Sequence, residues 1–270
     1  MLVFLDYDGT FADHGMVPEA HRQVVRQVRA AGHQVILCTG RCRASVPTAV
    51  LDIVDGLVGS AGGYVEFGGE VLADVRFPEP TARDLLRVLD DAEVLYLLEA
   101  PDAVHARADT IPPLVEILAR TLAGPEAARE MTAAIQPLDE RPVRFAKVSC
   151  FGAARPLTDL VGLAPAEVAL LPSSLPMLGA WAGEWYLRSV TKAEGIRTVC
   201  QRLGVGVDQV VAVGDGHNDL EMLHLAGTAV AVASGPPELV ALADLVIPGP
   251  EQASLVRAFT ELGLTRSTVR

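Results

Sequence analysis

Apolar residues along this chain come in short runs that stop abruptly at acidic or glycine-containing turns, and that punctuation predicts the architecture. Leu2 to Leu5 is such a run. It ends at Asp6-Tyr7-Asp8-Gly9-Thr10 and reads as a buried parallel strand leading into a loop. A helix is predicted from about Pro18 to Ala31, stopped by Gly32, and His33 to Cys38 is a second strand running into Thr39-Gly40-Arg41. Strand, helix, strand makes a βαβ unit.

The same grammar returns near the C-terminus. A helix from about Lys192 to Leu203 precedes a strand over Gln209 to Val213 and the loop Gly214-Asp-Gly-His-Asn-Asp219. A helix over Leu220 to Ala226, a strand over Thr228 to Ala233, a helix over Pro237 to Ala243 and a short strand over Asp244 to Ile247 follow. The fold class this predicts is α/β, with a doubly wound, Rossmann-like parallel sheet, and three polar motifs that follow three strand ends should converge in space.

From about Pro80 to Glu184 the pattern changes. Strand-like runs at Glu93 to Leu98, Pro142 to Val148 and Glu167 to Leu171 alternate with helical stretches and proline-rich turns, which predicts a second α/β domain inserted into the first. The expected division is 1–78 and 188–270 for the core and 79–187 for the insert, with hinges at Phe77-Pro-Glu-Pro80 and Arg188-Ser-Val-Thr191.

Composition narrows the partners. With 34 acidic against 22 basic residues the formal charge is -12, so the chain shows no basic face to displace counterions from nucleic acid. The opening Met1 to Leu5 meets Asp6 at once, far short of a signal segment, and no run approaches a membrane span, so a cytoplasmic protein is expected. Cys38, Cys42, Cys150 and Cys200 are too sparse for a disulfide scaffold, and Cys38-x-x-x-Cys42 lacks a second pair to complete a metal site. Oligomeric state is not legible.

The candidate chemistry lies in the loops. Two carboxylates one residue apart, Asp6 and Asp8, leave a buried strand where both can face a cation, while Gly9 lets the chain turn away. One carboxylate can attack phosphorus while the other moves a proton. Asp215 and Asp219 flank glycine in the same way, and a turn-and-cap role explains either alone but not both together. A lysine at a helix start, Lys192, opposes the dipole, and a functional role accounts for that placement.

Asp6-x-Asp8-Gly9-Thr10, Thr39-Gly-Arg41, Lys192 and Gly214-Asp-Gly-x-Asn-Asp219 resemble the four ordered motifs of the haloacid dehalogenase superfamily. The long insert is similar to the large α/β cap of its Cof-like branch, which includes sugar phosphatases. This resemblance implies that Asp6 is the nucleophile, forming an aspartyl-phosphate, and that Asp8 is the general acid and base. It implies Thr39 and Lys192 on the phosphoryl oxygens, and Thr10, Gly40, Arg41 and Asn218 around the phosphate. It places Mg2+ on the Asp6 carboxylate, on Asp215 directly and on Asp8 through its backbone carbonyl, with Asp219 either meeting the metal through water or orienting the site. Arg41 could equally serve a structural ion pair.

Tyr7 and Phe11 stand where aliphatic residues are commoner, and Ala193 where glycine is frequent; the bulk of Tyr7 would shape the entry beside Asp6. His217 occupies the family's variable position, either touching substrate or standing exposed in its loop. Trp181 and Trp185 fit core packing better than stacking on a sugar. Ser60-Ala-Gly-Gly-Tyr64 resembles a glycine-rich loop that lets the backbone pass close to the site.

The implied substrate is a small phosphorylated metabolite, a sugar phosphate, hydrolysed at its monoester. The alternatives are a phosphomutase and a catalytically silent ligand-binding protein on the same fold.

Overall fold

The computed structural model describes residues 1–121, 132, 135–138, 144–173 and 178–265. The chain forms two compact units: residues 1–41, 46–74 and 191–270 make one, and residues 42–45 and 75–190 the other.

In the first unit, β1 (Leu2–Leu5), β2 (Gln34–Cys38), β3 (Gly56–Gly59), β4 (Tyr64–Phe67), β5 (Glu70–Asp74), β12 (Val210–Gly214), β13 (Thr228–Val232) and β14 (Leu245–Ile247) form one sheet. Its order is β14-β13-β12-β1-β2-β3-β4-β5, parallel from β14 to β3, with β4 and β5 antiparallel. The sheet is buried at its centre because apolar residues leave both faces of β1. Val3 and Leu5 join one core cluster while Leu2 and Phe4 join the other. The chain runs outward on one side of β1 through β2 and on the other through β12, so the strand order reverses there, where open α/β sheets form their crevice. Leu5 pairs with both Leu37 and Val213, so three strand ends reach the same level, each about 4.8 Å from the next.

The helices over Glu19–Ala30 and Lys192–Leu203 form where the apolar spacing places them. The second is capped by the Thr191 hydroxyl, which accepts from the Glu194 N–H at 3.2 Å, and ends at Gly204 with φ 66°.

One buried histidine ties this unit together. His21 has a ring nitrogen 3.0 Å from the Phe11 carbonyl, and its other nitrogen accepts from the Leu255 N–H at 3.3 Å, which requires a neutral ring. Burial lowers its pKa below the usual histidine value, and the Phe11 contact only partly offsets this. The unfolded chain therefore takes up the proton first, so stability holds above pH ~6.5 and falls as pH drops below it. Thermal melting from pH 7.5 to 5.0 should show a falling midpoint, and the slope should be shallower in His21→Gln; equal slopes would exclude this origin.

The second unit is a mostly antiparallel sheet of β6 (Leu95–Glu99), β7 (Val104–Ala106), β8 (Ile135–Pro137), β9 (Lys147–Phe151), β10 (Val168–Pro172) and β11 (Gly183–Leu187). Its order is β10-β11-β9-β6-β7-β8, and among the described residues only the β7–β8 pair is parallel. The helix Glu79–Asp91 covers one face through Leu85 and Leu89, which pack with Val148, Cys150 and Trp185. The strand anticipated over Pro142 to Val148 begins instead at Lys147 and runs to Phe151, and residues 142–143 lie outside the described residues. Trp185 is fully buried in this core, whereas Trp181 is about half exposed. No helix among the described residues is long and apolar enough to cross a membrane.

Candidate active site

Asp6, Thr39 and Asp215 follow the adjacent strands β1, β2 and β12 directly, and chain direction alone delivers them to one edge. Asp6 is held by its own N–H, which donates to the Val213 carbonyl at 2.9 Å. Gly9 has φ +86°, and a Cβ there would collide with the Asp215 carboxylate, so the turn after β1 admits only glycine without displacing that acid.

Lys192 reaches the same place from the first residue of its helix. Its Nζ lies 2.5 Å from Asp6 Oδ1 and 2.5 Å from Asp219 Oδ1, and the residue is 1% exposed. Asp219 Oδ2 accepts from the N–H groups of Asp215 at 3.0 Å and Gly216 at 2.8 Å. Asp219 therefore spends both oxygens on holding Lys192 and on shaping the loop that presents Asp215. Thr10, fully buried, donates its hydroxyl to Asp215 Oδ1 at 2.7 Å.

Carboxylate oxygens of Asp6, Asp215 and Asp219 all lie within 4.8 Å of one another. Burial raises the Asp6 pKa well above the ordinary carboxylate value; Lys192 opposes this while Asp219 and Asp215 add to it. Asp215 is raised as well, chiefly by burial. Burial alone would lower Lys192, yet Asp219 and Asp6 hold it above the usual lysine range, so it is charged. Three carboxylates facing one ammonium leave an excess of negative charge among hard oxygen donors, and a small divalent cation fits such a set.

Asp8 is not in that group. Its carboxylate takes two hydrogen bonds from Arg41, Nε to Oδ2 and Nη2 to Oδ1, both 2.7 Å. The Arg41 guanidinium lies over the Tyr7 ring, 4.7 Å from its centroid, and the Tyr7 hydroxyl donates to the Gly15 carbonyl at 2.9 Å. Tyr7 is wholly buried and packs in the core beneath Arg41. Its bulk thus serves as a platform for the guanidinium.

Thr39 is buried, and its hydroxyl accepts from the Arg41 N–H at 3.1 Å. Asn218 stands beside the same loop, since a Cβ on Gly40 would sit 3.5 Å from Asn218 Nδ2. His217 pairs with Glu238 at 3.2 Å and is exposed. Cys38 is buried, its thiol pKa pushed up by burial, and all four cysteines are free.

The loop Ser60–Gly62 has a larger part than its glycines suggested. The N–H groups of Ser60 and Ala61 donate to the carbonyls of Arg41 and Thr39 at 2.8 and 3.0 Å, clamping the loop after β2. Ser60 and Ala61 take left-handed conformations, φ 48° and 54°, to do so. Gly62 lies so close to Thr191 that a Cβ would strike its carbonyl.

Comparison with known proteins places these features in a family. The haloacid dehalogenase-like hydrolase family matches residues 3–124 and 181–259. A Bacillus subtilis (strain 168) protein named "Putative phosphatase YkrA" is 29% identical over 275 residues, covering 98% of each chain. A solved protein from Geobacillus kaustophilus HTA426 superposes with TM-score 0.81 at 25% identity, covering 97% of this chain and 98% of that one. A solved haloacid dehalogenase subclass IIB sugar phosphatase, BT4131, has the same fold, with TM-score 0.77 at 17% identity over 97% and 99% of the two chains. The four motifs, their assembly at the ends of β1, β2 and β12, and a family match on both sides of the insert show that this chain belongs to the haloacid dehalogenase-like hydrolases, as a phosphatase-type member.

Proposed function

We propose that the protein is a magnesium-dependent phosphate-monoester hydrolase working through an aspartyl-phosphate on Asp6. The observation that carries this reading is Asp6 itself, buried with Lys192 on one oxygen and Asp215 and Asp219 close by. A carboxylate so placed has one oxygen fixed by Lys192 and the other available to attack.

In the first step an Asp6 oxygen bonds to phosphorus while the bond from phosphorus to the alcohol oxygen breaks, and Asp8 gives that oxygen its proton. In the second, water bonds to phosphorus, the Asp6–phosphorus bond breaks, and Asp8 takes the proton back. Lys192 and the Thr39 hydroxyl bear on the negative phosphoryl oxygens, with Gly40 and Asn218 beside them. Arg41 and Thr10 act one step removed, Arg41 by orienting Asp8 and Thr10 by orienting Asp215. Asp6 and Asp215, with Asp219 behind them, would hold Mg2+, which when bound offsets phosphate charge. The substrate is a small phosphorylated metabolite, and a sugar phosphate agrees with the sugar-phosphatase name carried by one structural neighbour.

Release of inorganic phosphate from p-nitrophenyl phosphate should require Mg2+, stop with EDTA and return when Mg2+ is restored. Undiminished hydrolysis after chelation would remove the cation from this reading. Transfer of the phosphoryl group to a sugar with no free phosphate would convert it to that of a mutase.

A further inference from the structure

The Arg41–Asp8 pair has a support that ion pairs at its exposure usually lack. The two side chains are 35% and 51% exposed, and there solvent screening and the freedom of a long arginine leave a pair weakly held. Yet the guanidinium keeps a planar fork on Asp8, one nitrogen to each oxygen at 2.7 Å. Beneath it lies the ring of Tyr7, a residue with no exposed surface.

Tyr7 is held along its whole length. It belongs to the core cluster that includes Phe11 and Val17, its carbonyl accepts from the N–H groups of Phe11 at 3.1 Å and Ala12 at 2.7 Å, and its hydroxyl donates to the Gly15 carbonyl at 2.9 Å. Gly15 in turn stands beside the cation, since a Cβ there would sit 4.0 Å from Arg41 Nη2. Residues 7–15 thus close on themselves with the ring face turned to the guanidinium. A rigid buried face attracts that group and restricts its rotamers, so the plane of the Asp8 carboxyl is set by the core rather than by solvent. An aliphatic side chain at position 7 would fill the core without offering such a face. Each Asp8 oxygen has a second lone pair, so the fork fixes orientation and leaves a place for a proton.

We infer that Tyr7 is a positioning residue for proton transfer: through its stack with Arg41 it aims Asp8 at the oxygen that leaves phosphorus. The inference rests on the phosphatase reading and on Asp8 as its acid. As the bond from phosphorus to that oxygen breaks, the electron pair stays on the oxygen, which takes the Asp8 proton and departs as a neutral alcohol. An alkyl alcohol needs that proton because its alkoxide is a strong base, whereas p-nitrophenolate spreads its charge over the ring and leaves without it. Misaiming Asp8 therefore harms alkyl esters selectively, while a general loosening of the fold harms both kinds alike.

The test compares kcat/KM for benzyl phosphate and p-nitrophenyl phosphate, esters of similar bulk, by phosphate release from the full chain with Mg2+. Their ratio cancels any loss of folded protein. Asp8→Asn should lower the benzyl to p-nitrophenyl ratio by about 100-fold. Tyr7→Leu should lower it about tenfold with KM little changed, and Tyr7→Phe, which keeps the ring, should hold it within about twofold of the wild type. Tyr7→Met, whose flexible chain fills the core differently, supplies the same readout if the leucine variant misfolds. A ratio lowered in Asp8→Asn but unmoved in Tyr7→Leu would overturn the inference and leave Asp8 as the acid; a ratio unmoved in both would overturn the acid assignment as well. An equal fall in Tyr7→Phe would assign the effect to the hydrogen bond with Gly15 and overturn the role of the ring. Wild-type turnover of p-nitrophenyl phosphate without any of benzyl phosphate would overturn the inference alone, and hydrolysis of neither would overturn the phosphatase reading with it.

Discussion

Replacing Asp6 by Asn is expected to abolish phosphate release, by on the order of 10⁴-fold or more, while leaving the protein at least as stable as the wild type. The two halves of this result have one cause. Asp6 is buried beside Asp215 and Asp219, and its raised pKa means that the fold bears a cost to keep it charged. Asn has the same outline, can still accept from Lys192 through its carbonyl oxygen, and relieves the repulsion among the carboxylates. It cannot, however, form the bond to phosphorus. Steady-state assays and thermal melting on the same preparations check both. A mutant with near-normal turnover would remove Asp6 as nucleophile, and a large fall in melting temperature would mean that its charge is needed by the fold.

How far such a site can be read before folding depends on which contacts are local. β1 was legible because four apolar residues ending at an acid can be little else in an α/β chain, and the parallel pairing of β1 with β2 and β12 then fixes where the loops meet. β3 was not, since its Gly56-Leu-Val-Gly59 carries two glycines, and β5 was hidden by its exposed acidic ends, Glu70 and Asp74. β9 was placed too early, and what holds its polar residues is not local: Lys147 is paired with Glu99 and Glu184, 48 and 37 residues away, and Ser149 with Glu99, 50 residues away.

The same limit explains the side chains. Arg41 and Asp8, separated by 33 positions, and Thr10 and Asp215, separated by 205, each form a short hydrogen-bonded pair that no spacing rule reveals. Thr10 and Arg41 carry the residue types of phosphate ligands, yet the Thr10 hydroxyl and the Arg41 Nε and Nη2 donate to carboxylates of this chain. Tyr7 was visible only as a departure in size, and its ring proves to lie beneath a guanidinium.

Replacing Lys192 by Met should share the activity loss of Asp6→Asn but reverse its effect on stability, which should fall. Its ammonium is the partner of both Asp6 Oδ1 and Asp219 Oδ1 at 2.5 Å, with no exposure of its side chain. Met fills similar volume, so packing changes little, but two buried carboxylates lose their counter-charge, which costs about 3–5 kcal/mol. Denaturant titration should therefore show a lower midpoint at unchanged slope. Added Mg2+ should recover part of the loss, because a cation that binds only the folded chain stabilises it by mass action. If the cost arises from stranded charge, Lys192→Met combined with Asp219→Asn must be less destabilised than the sum of the single changes, since the double variant removes one of the stranded acids. Additive losses would assign the role of Lys192 to packing and would separate it from the carboxylates it joins.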